Sequence, residues 1–226
     1  MPRAAVTVRA VLRPLMRIAW RPTVEGAGQV PATGPVILAS NHLSFLDSVL
    51  IPLAAPRPVA FLAKAEYFEG RGVTGLLSRQ FFTGLGAIPV RRGVNRDFQS
   101  SLDTALAVLA DGGAFGIYPE GTRSRDGRLH RGRTGVAWLA LASGAPVVPV
   151  AVTGTVHLGS AGVVLPGGGK PGVRFGRPLA FPEHAGQAAS ARARRQVTDR
   201  IMDAIGDLSG QERVSTYNPP PGDEPG

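Results

Sequence analysis

Val36-Ile37-Leu38-Ala39-Ser40-Asn41-His42-Leu43-Ser44-Phe45-Leu46-Asp47 begins as an unbroken apolar run and turns polar within one residue. Four apolar residues with no polar alternate read as a strand buried on both faces, and Ser44–Ala54 behind them reads as a helix. The same alternation repeats on either side. Val59–Ala63, Ala87–Val90, Ala114–Tyr118, Val147–Val152 and Val173–Phe175 read as further strands. Gly72–Phe82, Asp97–Ala110, Thr134–Ala142 and Ala188–Leu208 read as helices. Doubly buried strands alternating with helices predict a single α/β domain, with a mostly parallel or mixed central sheet covered by helices. A chain of 226 residues, 43% hydrophobic and 18% charged, suits one globular core.

The nearly apolar stretch Thr134–Val152 is broken by Ser143-Gly144-Ala145-Pro146, so it reads as helix, turn and strand and not as a membrane span. Residues 1–21 hold Arg3, Arg9, Arg13, Arg17 and Arg21 and no acid, five charges of the net +9. Arg9, Arg13 and Arg17 recur every four residues, and Val8, Val11, Leu12, Leu15, Ile18 and Trp20 cover much of the rest. This predicts a basic amphipathic helix over 1–21, lying on a membrane surface or packed on its own domain, with Pro14 kinking or splitting it. It is too short and too charged to span a bilayer. The folded domain is expected over 22–210. The polar end, 211–226, closes in N-P-P-P-G-D-E-P-G and is expected to be a disordered tail.

Composition removes several chemistries. The chain has no cysteine, so thiolate metal sites and a cysteine acyl-enzyme are excluded. Neither H-E-x-x-H nor G-x-S-x-G occurs. Gly167-Gly168-Gly169-Lys170-Pro171-Gly172 lacks the leading glycine and the Ser or Thr of a Walker loop. With 6% aromatics and no recognition motif, nucleic acid is not an expected partner. Of 25 cationic residues all but Lys64 and Lys170 are Arg, a bias that suits bidentate contact with phosphate or carboxylate and that a GC-rich coding sequence also produces.

Four segments follow predicted strands, at the sheet edge where α/β proteins bind ligands. In the first, His42 precedes Asp47 by five positions at a helix start. Imidazole abstracts protons near neutral pH, and a carboxylate on its far nitrogen sets the tautomer; Ser44-x-x-Asp47 equally fits a helix capping box. The second, Gly84–Gly93, ends a strand in Arg91 and Arg92, which reach a bound anion or simply solvent. The third, Tyr118-Pro119-Glu120-Gly121-Thr122-Arg123-Ser124, is a tight loop of amides, hydroxyls and a guanidinium, the usual parts of a phosphate site. The fourth, Ala145–Val150, is apolar and lines an acyl slot or serves as a plain strand.

In this order and spacing, H-x4-D at 42–47, G-x-I-P-V-x-R at 86–92, Y-P-E-G-T-R-S at 118–124 and V-V-P-V at 147–150 resemble the glycerolipid acyltransferase family over about residues 30–180. The resemblance implies acyl transfer from acyl-CoA or acyl carrier protein to the free hydroxyl of a lysophospholipid such as 1-acyl-glycerol-3-phosphate, giving phosphatidic acid. His42 would be the base and Asp47 its orienter, with no acyl-enzyme, no metal and no cofactor beyond the acyl donor. Arg92 and Arg123 would bind the acceptor phosphate, with Arg91 a second candidate for the role of Arg92. Glu120 and Gly121 would shape the glycerol subsite, Thr122 and Ser124 would complete the substrate-binding loop, and Lys64 would assist. The resemblance also implies work at the cytoplasmic face of the cell membrane, with the N-terminal helix as the attachment. A lyso-ornithine lipid, another lysophospholipid or a glycolipid is the alternative acceptor. A non-catalytic basic protein binding membrane or nucleic acid is the reading from a different class.

Overall fold

The computed structural model describes residues 3–90, 95–157 and 170–219. Seven strands form one sheet in the order β1-β7-β6-β2-β5-β3-β4. They are β1 (Thr23–Glu25), β2 (Val36–Ser40), β3 (Val59–Lys64), β4 (Ala87–Val90), β5 (Ala114–Ile117), β6 (Val147–Thr153) and β7 (Gly172–Phe175). All pairings are parallel except β6 with β7, so the sheet is mostly parallel, as expected. The helices are α1 (Arg3–Ala19), α2 (Asp47–Ala54), α3 (Gly72–Gly84), α4 (Asn95–Ala110), α5 (Gly135–Ser143) and α6 (Ala191–Ser209).

Every residue of β2 is buried, and its period of two splits the core into layers. Val36 and Leu38 pack with Met16 of α1 and with Val49, Leu50 and Leu53 of α2. Ile37 and Ala39 pack with Ala105 and Leu109 of α4, Val136 and Leu139 of α5, and Val197 and Ile201 of α6. Val147–Val152 lies in the middle of this sandwich with every residue buried, so of the two readings of the V-V-P-V segment the structure realises the plain strand.

Three further features depart from the sequence reading or were absent from it. Thr23–Glu25 is a strand that no apolar run announces, because it pairs at the sheet edge with all three residues exposed. Helix α1 runs through Pro14 as one helix, and two of its arginines turn inward, not toward solvent. Arg9 donates to the carbonyls of Pro52 and Ala55, and Arg13 donates to Leu53 and Ala55 at 2.8 Å each. These are the carbonyls left without intrahelical partners at the C-terminus of α2, where a cation is also favoured by the helix dipole. Burial first, and the neighbouring Arg13 second, lower the Arg9 pKa to about 10.

The tail is the last correction. Helix α6 stops at Gly210, in the left-handed region at φ 68°. Residues 211–219 then run back along the loop after β5. Leu129 donates to Glu212 and accepts from Val214, and Arg131 donates to Thr216, a short parallel pairing with Leu129 opposite Arg213. Their polar composition concealed this, because the segment is held by main-chain hydrogen bonds and not by apolar burial. Residues 220–226 lie outside the described residues.

Candidate active site

The chain leaves β2 at Asn41, which is fully buried. Its side-chain oxygen accepts from Val152 N–H at 2.8 Å and its amide donates to Val152 C=O at 2.9 Å. The side chain thus supplies the next rung of the β2–β6 ladder, and the main chain is free to turn away. His42 is the first residue of that turn.

His42 Nδ1 lies 2.9 Å from Asp47 Oδ2, the same oxygen that accepts from the amides of Leu43 at 2.7 Å and Ser44 at 2.8 Å. The carboxylate therefore ties the turn and fixes the imidazole together. The helix starts at Asp47, with Leu46 as its N-cap and no side-chain cap, so only the Asp47-to-Ser44 half of the expected capping box forms. An ionised carboxylate only accepts, which puts the imidazole proton on Nδ1 and the lone pair on Nε2. Tyr118 stacks on the imidazole, with ring centroids 3.8 Å apart and planes 10° from parallel. Its hydroxyl is 2.9 Å from that of Ser48, one residue beyond Asp47. The histidine ring is thereby held on its edge by Asp47 and on its face by Tyr118. Its side chain retains 15% exposure.

The loop after β5 closes on this turn. Ser124 N–H donates to His42 C=O at 2.7 Å, and Glu120 accepts from His42 N–H at 3.3 Å and from His130 N–H at 2.9 Å. Ser124 Oγ bonds Asp126 and the carbonyl of Arg128. Glu120 and Ser124 are both buried and committed to the loop's own bonds. Of the residues expected to shape the glycerol subsite and complete the substrate-binding loop, these two grip the His42 backbone. Burial lifts the Glu120 carboxyl to about 7, outweighing the two amides and the nearby His130, all of which favour the anion.

A carboxyl raised on folding favours the folded state while protonated. That contribution is fully present below the ordinary carboxyl range and is lost as pH rises to about 7. The stability difference between wild type and Glu120→Gln therefore moves toward the variant by on the order of 2 kcal/mol from pH 5 to pH 8. Denaturant melts at the two pH values measure it, and a pH-independent difference refutes the assignment.

Strands β2, β5, β3 and β4 are neighbours and parallel, so their C-terminal ends share one edge. Here stand His42 after β2, residues 119–124 after β5, and exposed Lys64 at the end of β3. Arg91 and Arg92 lie outside the described residues. Thr122 is half-buried and Arg123 exposed. Gly121 has φ +81°, and a Cβ there would sit 3.0 Å from Arg133 Nε. That position needs glycine for its backbone angle, and its missing side chain admits the Arg133 guanidinium. Arg131 and Arg133 flank the Tyr217 ring at 5.2 and 5.3 Å. Arg123, Arg131 and Arg133 thus give a cationic rim to the loop that clamps the His42 backbone. Across the turn, Phe45, Tyr67 and Phe82 form a half-buried aromatic wall, with Tyr67 and Phe82 stacked at 4.7 Å. Among the described residues, no group of three or more His, Asp or Glu side chains is arranged to hold a metal ion.

Residues 21–153 match the family model described as Acyltransferase. The chain belongs to the acyltransferase family. A family relative from Bacillus subtilis (strain 168), named 1-acyl-sn-glycerol-3-phosphate acyltransferase, is 30% identical over 152 residues, covering 66% of this chain and 69% of that one. One from Brassica napus, named 1-acyl-sn-glycerol-3-phosphate acyltransferase BAT2, chloroplastic, is 29% identical over 149 residues, covering 64% of this chain. The chain spans 42% of the length of that relative, 40% of an Arabidopsis thaliana relative and 51% of one from Borreliella burgdorferi. The crystal structure of the 1-acyl-sn-glycerophosphate acyltransferase PlsC from Thermotoga maritima shares the fold, with a TM-score of 0.62 at 24% identity over 92% of this chain and 84% of that one.

Every expected site residue of this acyltransferase-family chain lies inside the matched span, which ends at the last residue of β6. Reading the motifs missed Asn41, the stack of Tyr118 on His42, and Arg131 and Arg133. The recurrence of arginine at 123, 125, 128, 131 and 133 was the available signal for the last two. Gln211 and Tyr217 carried none.

Proposed function

We propose that this chain transfers an acyl group from the thioester of acyl-CoA or acyl carrier protein to the free hydroxyl of 1-acyl-glycerol-3-phosphate, giving phosphatidic acid. The observation that carries the reading is the Nδ1-anchored imidazole of His42, 2.9 Å from buried Asp47 and beside an arginine-rimmed loop. In this scheme the acceptor hydroxyl gives its proton to His42 Nε2 as its oxygen attacks the thioester carbonyl. Asp47 stays ionised and stabilises the imidazolium. The tetrahedral intermediate collapses, the C–S bond breaks, and the leaving sulfur takes the proton back from Nε2 as the free thiol. The donor arrives activated, so a base and charge stabilisation suffice. Arg123 and its neighbours bind the acceptor phosphate, with Arg92 joining them as the family resemblance implies. The aromatic wall of Phe45, Tyr67 and Phe82 gives acyl carbons an apolar surface.

The test is thiol release from oleoyl-CoA with lysophosphatidic acid, run beside lyso-ornithine lipid and a neutral lysolipid. Wild type is expected to prefer the phosphorylated acceptor. Arg123→Ala is expected to raise the acceptor KM about tenfold while the donor KM stays put. A shift in donor KM alone would assign Arg123 to the donor, and a preference for another acceptor would replace the substrate named here.

The reaction is assigned to the cytoplasmic face of the cell membrane. Among the described residues no helix is long and apolar enough to cross a membrane. Inward-facing Arg9 and Arg13 leave Val11, Leu15 and Ile18 on the outside of α1, 56%, 55% and 74% exposed. Val73, Leu76 and Leu77 are exposed on α3, which α1 touches where Val8 meets Gly84. An interfacial helix inserts such a stripe. Serine at positions 11, 15 and 18 should lower sedimentation with phosphatidylglycerol vesicles about tenfold or more. Unchanged sedimentation refutes the attachment. Point substitutions are the sharper test, since deleting α1 also uncaps α2.

A further inference from the structure

Residues 211–219 lie beyond the span that the family model matches, yet they touch the candidate site at several points. Gln211 Oε1 accepts from Asn41 Nδ2 at 2.7 Å, and Gln211 Nε2 donates to Gly127 C=O at 2.7 Å. One side chain therefore joins the residue before His42 to the loop that carries Arg123. Asn218, itself buried, donates from Nδ2 to the carbonyl of Arg123 at 2.8 Å. Between them the main chain pairs with Leu129 and Arg131. The Tyr217 ring has a guanidinium on either flank, Arg131 at 5.2 Å and Arg133 at 5.3 Å. Among the described residues neither arginine forms an ion pair, so the ring is what orients these two charges against each other's repulsion.

We propose that residues 211–219 form a positioning strap of the active site, in which Gln211 sets the spacing between His42 and the arginine loop and Tyr217 aligns Arg131 and Arg133 toward the acceptor's anionic group. The physical need is clear from the loop itself. Residues 121–128 are mostly exposed and polar, with little apolar burial to hold them. A loop of that kind samples many conformations unless main-chain and side-chain bonds from elsewhere limit it. The far end is already gripped by α6, where Arg195 donates to Gly132 C=O at 2.8 Å and a Cβ on Gly132 would meet Met202 at 2.8 Å. The strap grips the near end. Gln211 and Tyr217 act through Asn41, Gly127 and the two arginines, and are positioning residues, not catalytic ones.

The effect on the acceptor rests on the function proposed above; the grip on the loop does not. The experiment therefore has two arms on the full chain, with Gln211→Ala, Tyr217→Ala and Tyr217→Phe. Tyr217 is 45% exposed and Gln211 half-buried, and neither belongs to the two apolar core clusters, so these variants keep the core intact. The first arm is amide hydrogen exchange without substrate. Residues 121–131 are expected to exchange about fivefold faster in Gln211→Ala and Tyr217→Ala. Unchanged exchange in both overturns the strap. The second arm is kinetics with lysophosphatidic acid and oleoyl-CoA. Tyr217→Ala is expected to raise the acceptor KM about tenfold with the donor KM within about twofold, and Tyr217→Phe, which keeps the ring face, to restore it. Acceptor and donor KM moving together, or no acceptor effect despite faster exchange, reduces the strap to a structural brace and overturns its positioning role. A wild type that does not acylate lysophosphatidic acid overturns the proposed function instead, and the exchange arm then decides the strap alone.

Discussion

His42→Ala is expected to lower turnover about 10³-fold or more while the melting temperature moves by no more than about 4 °C. The two halves of this expectation have separate causes. The imidazole is the general base of the proposed reaction, and without it the acceptor hydroxyl must lose its proton to water. The residue is also marginal to the core. Among the described residues its side chain bonds only Asp47, and its backbone stays clamped by Ser124 and Glu120 whatever the side chain. What the fold loses is the stack on Tyr118 and one charged hydrogen bond. Steady-state thiol release and a thermal melt on the same preparation check both halves. Activity within tenfold of wild type removes His42 from the base role. A collapsed melt shows that the side chain is structural after all.

Asp47→Asn is expected to cost about 10²-fold in kcat, less than loss of the base. The smaller size follows from the turn. Two backbone N–H groups, Leu43 at 2.7 Å and Ser44 at 2.8 Å, point at the oxygen that also meets His42. An asparagine must present its carbonyl oxygen there, because its NH2 would face two donors. The imidazole then keeps its tautomer, and only the negative charge opposite the developing imidazolium is lost. Asp47→Ala is different in kind, since it strands both amides and unties the turn. Kinetics for both variants, with circular dichroism on each, separate charge from geometry. An Asn variant within about threefold of wild type would mean that the Asp47 charge contributes nothing to the reaction.

Much of the fold was legible in the chain because doubly buried strands write themselves as apolar runs. All six expected strands match to within one residue at each end. The strand that escaped, Thr23–Glu25, is exposed and depends on β7 for its existence. The His42/Asp47 pair was legible for a similar reason. Five positions of chain close one turn at a helix start, and local geometry alone brings the two side chains together.

The contacts that could not be read are those decided by partners far along the chain. Arginines at four-residue spacing on α1 look alike in sequence, but only Arg9 and Arg13 fall within reach of the open carbonyls of α2, some forty residues away, and so turn inward. Glu120 looks like a substrate ligand in a polar loop. The order of the sheet sets β5 beside β2 and buries that carboxylate against the amide of His42, 78 positions earlier. Gln211 meets Asn41 across 170 positions in a segment whose composition predicts disorder. Apolar period and short-range spacing are properties of the chain, so strands, helices and the His/Asp turn could be read from residues alone. Which cation caps, which carboxylate is buried and which glutamine joins two loops are set by strand order and helix placement. Those long-range pairings exist only once burial of the two apolar layers has chosen them.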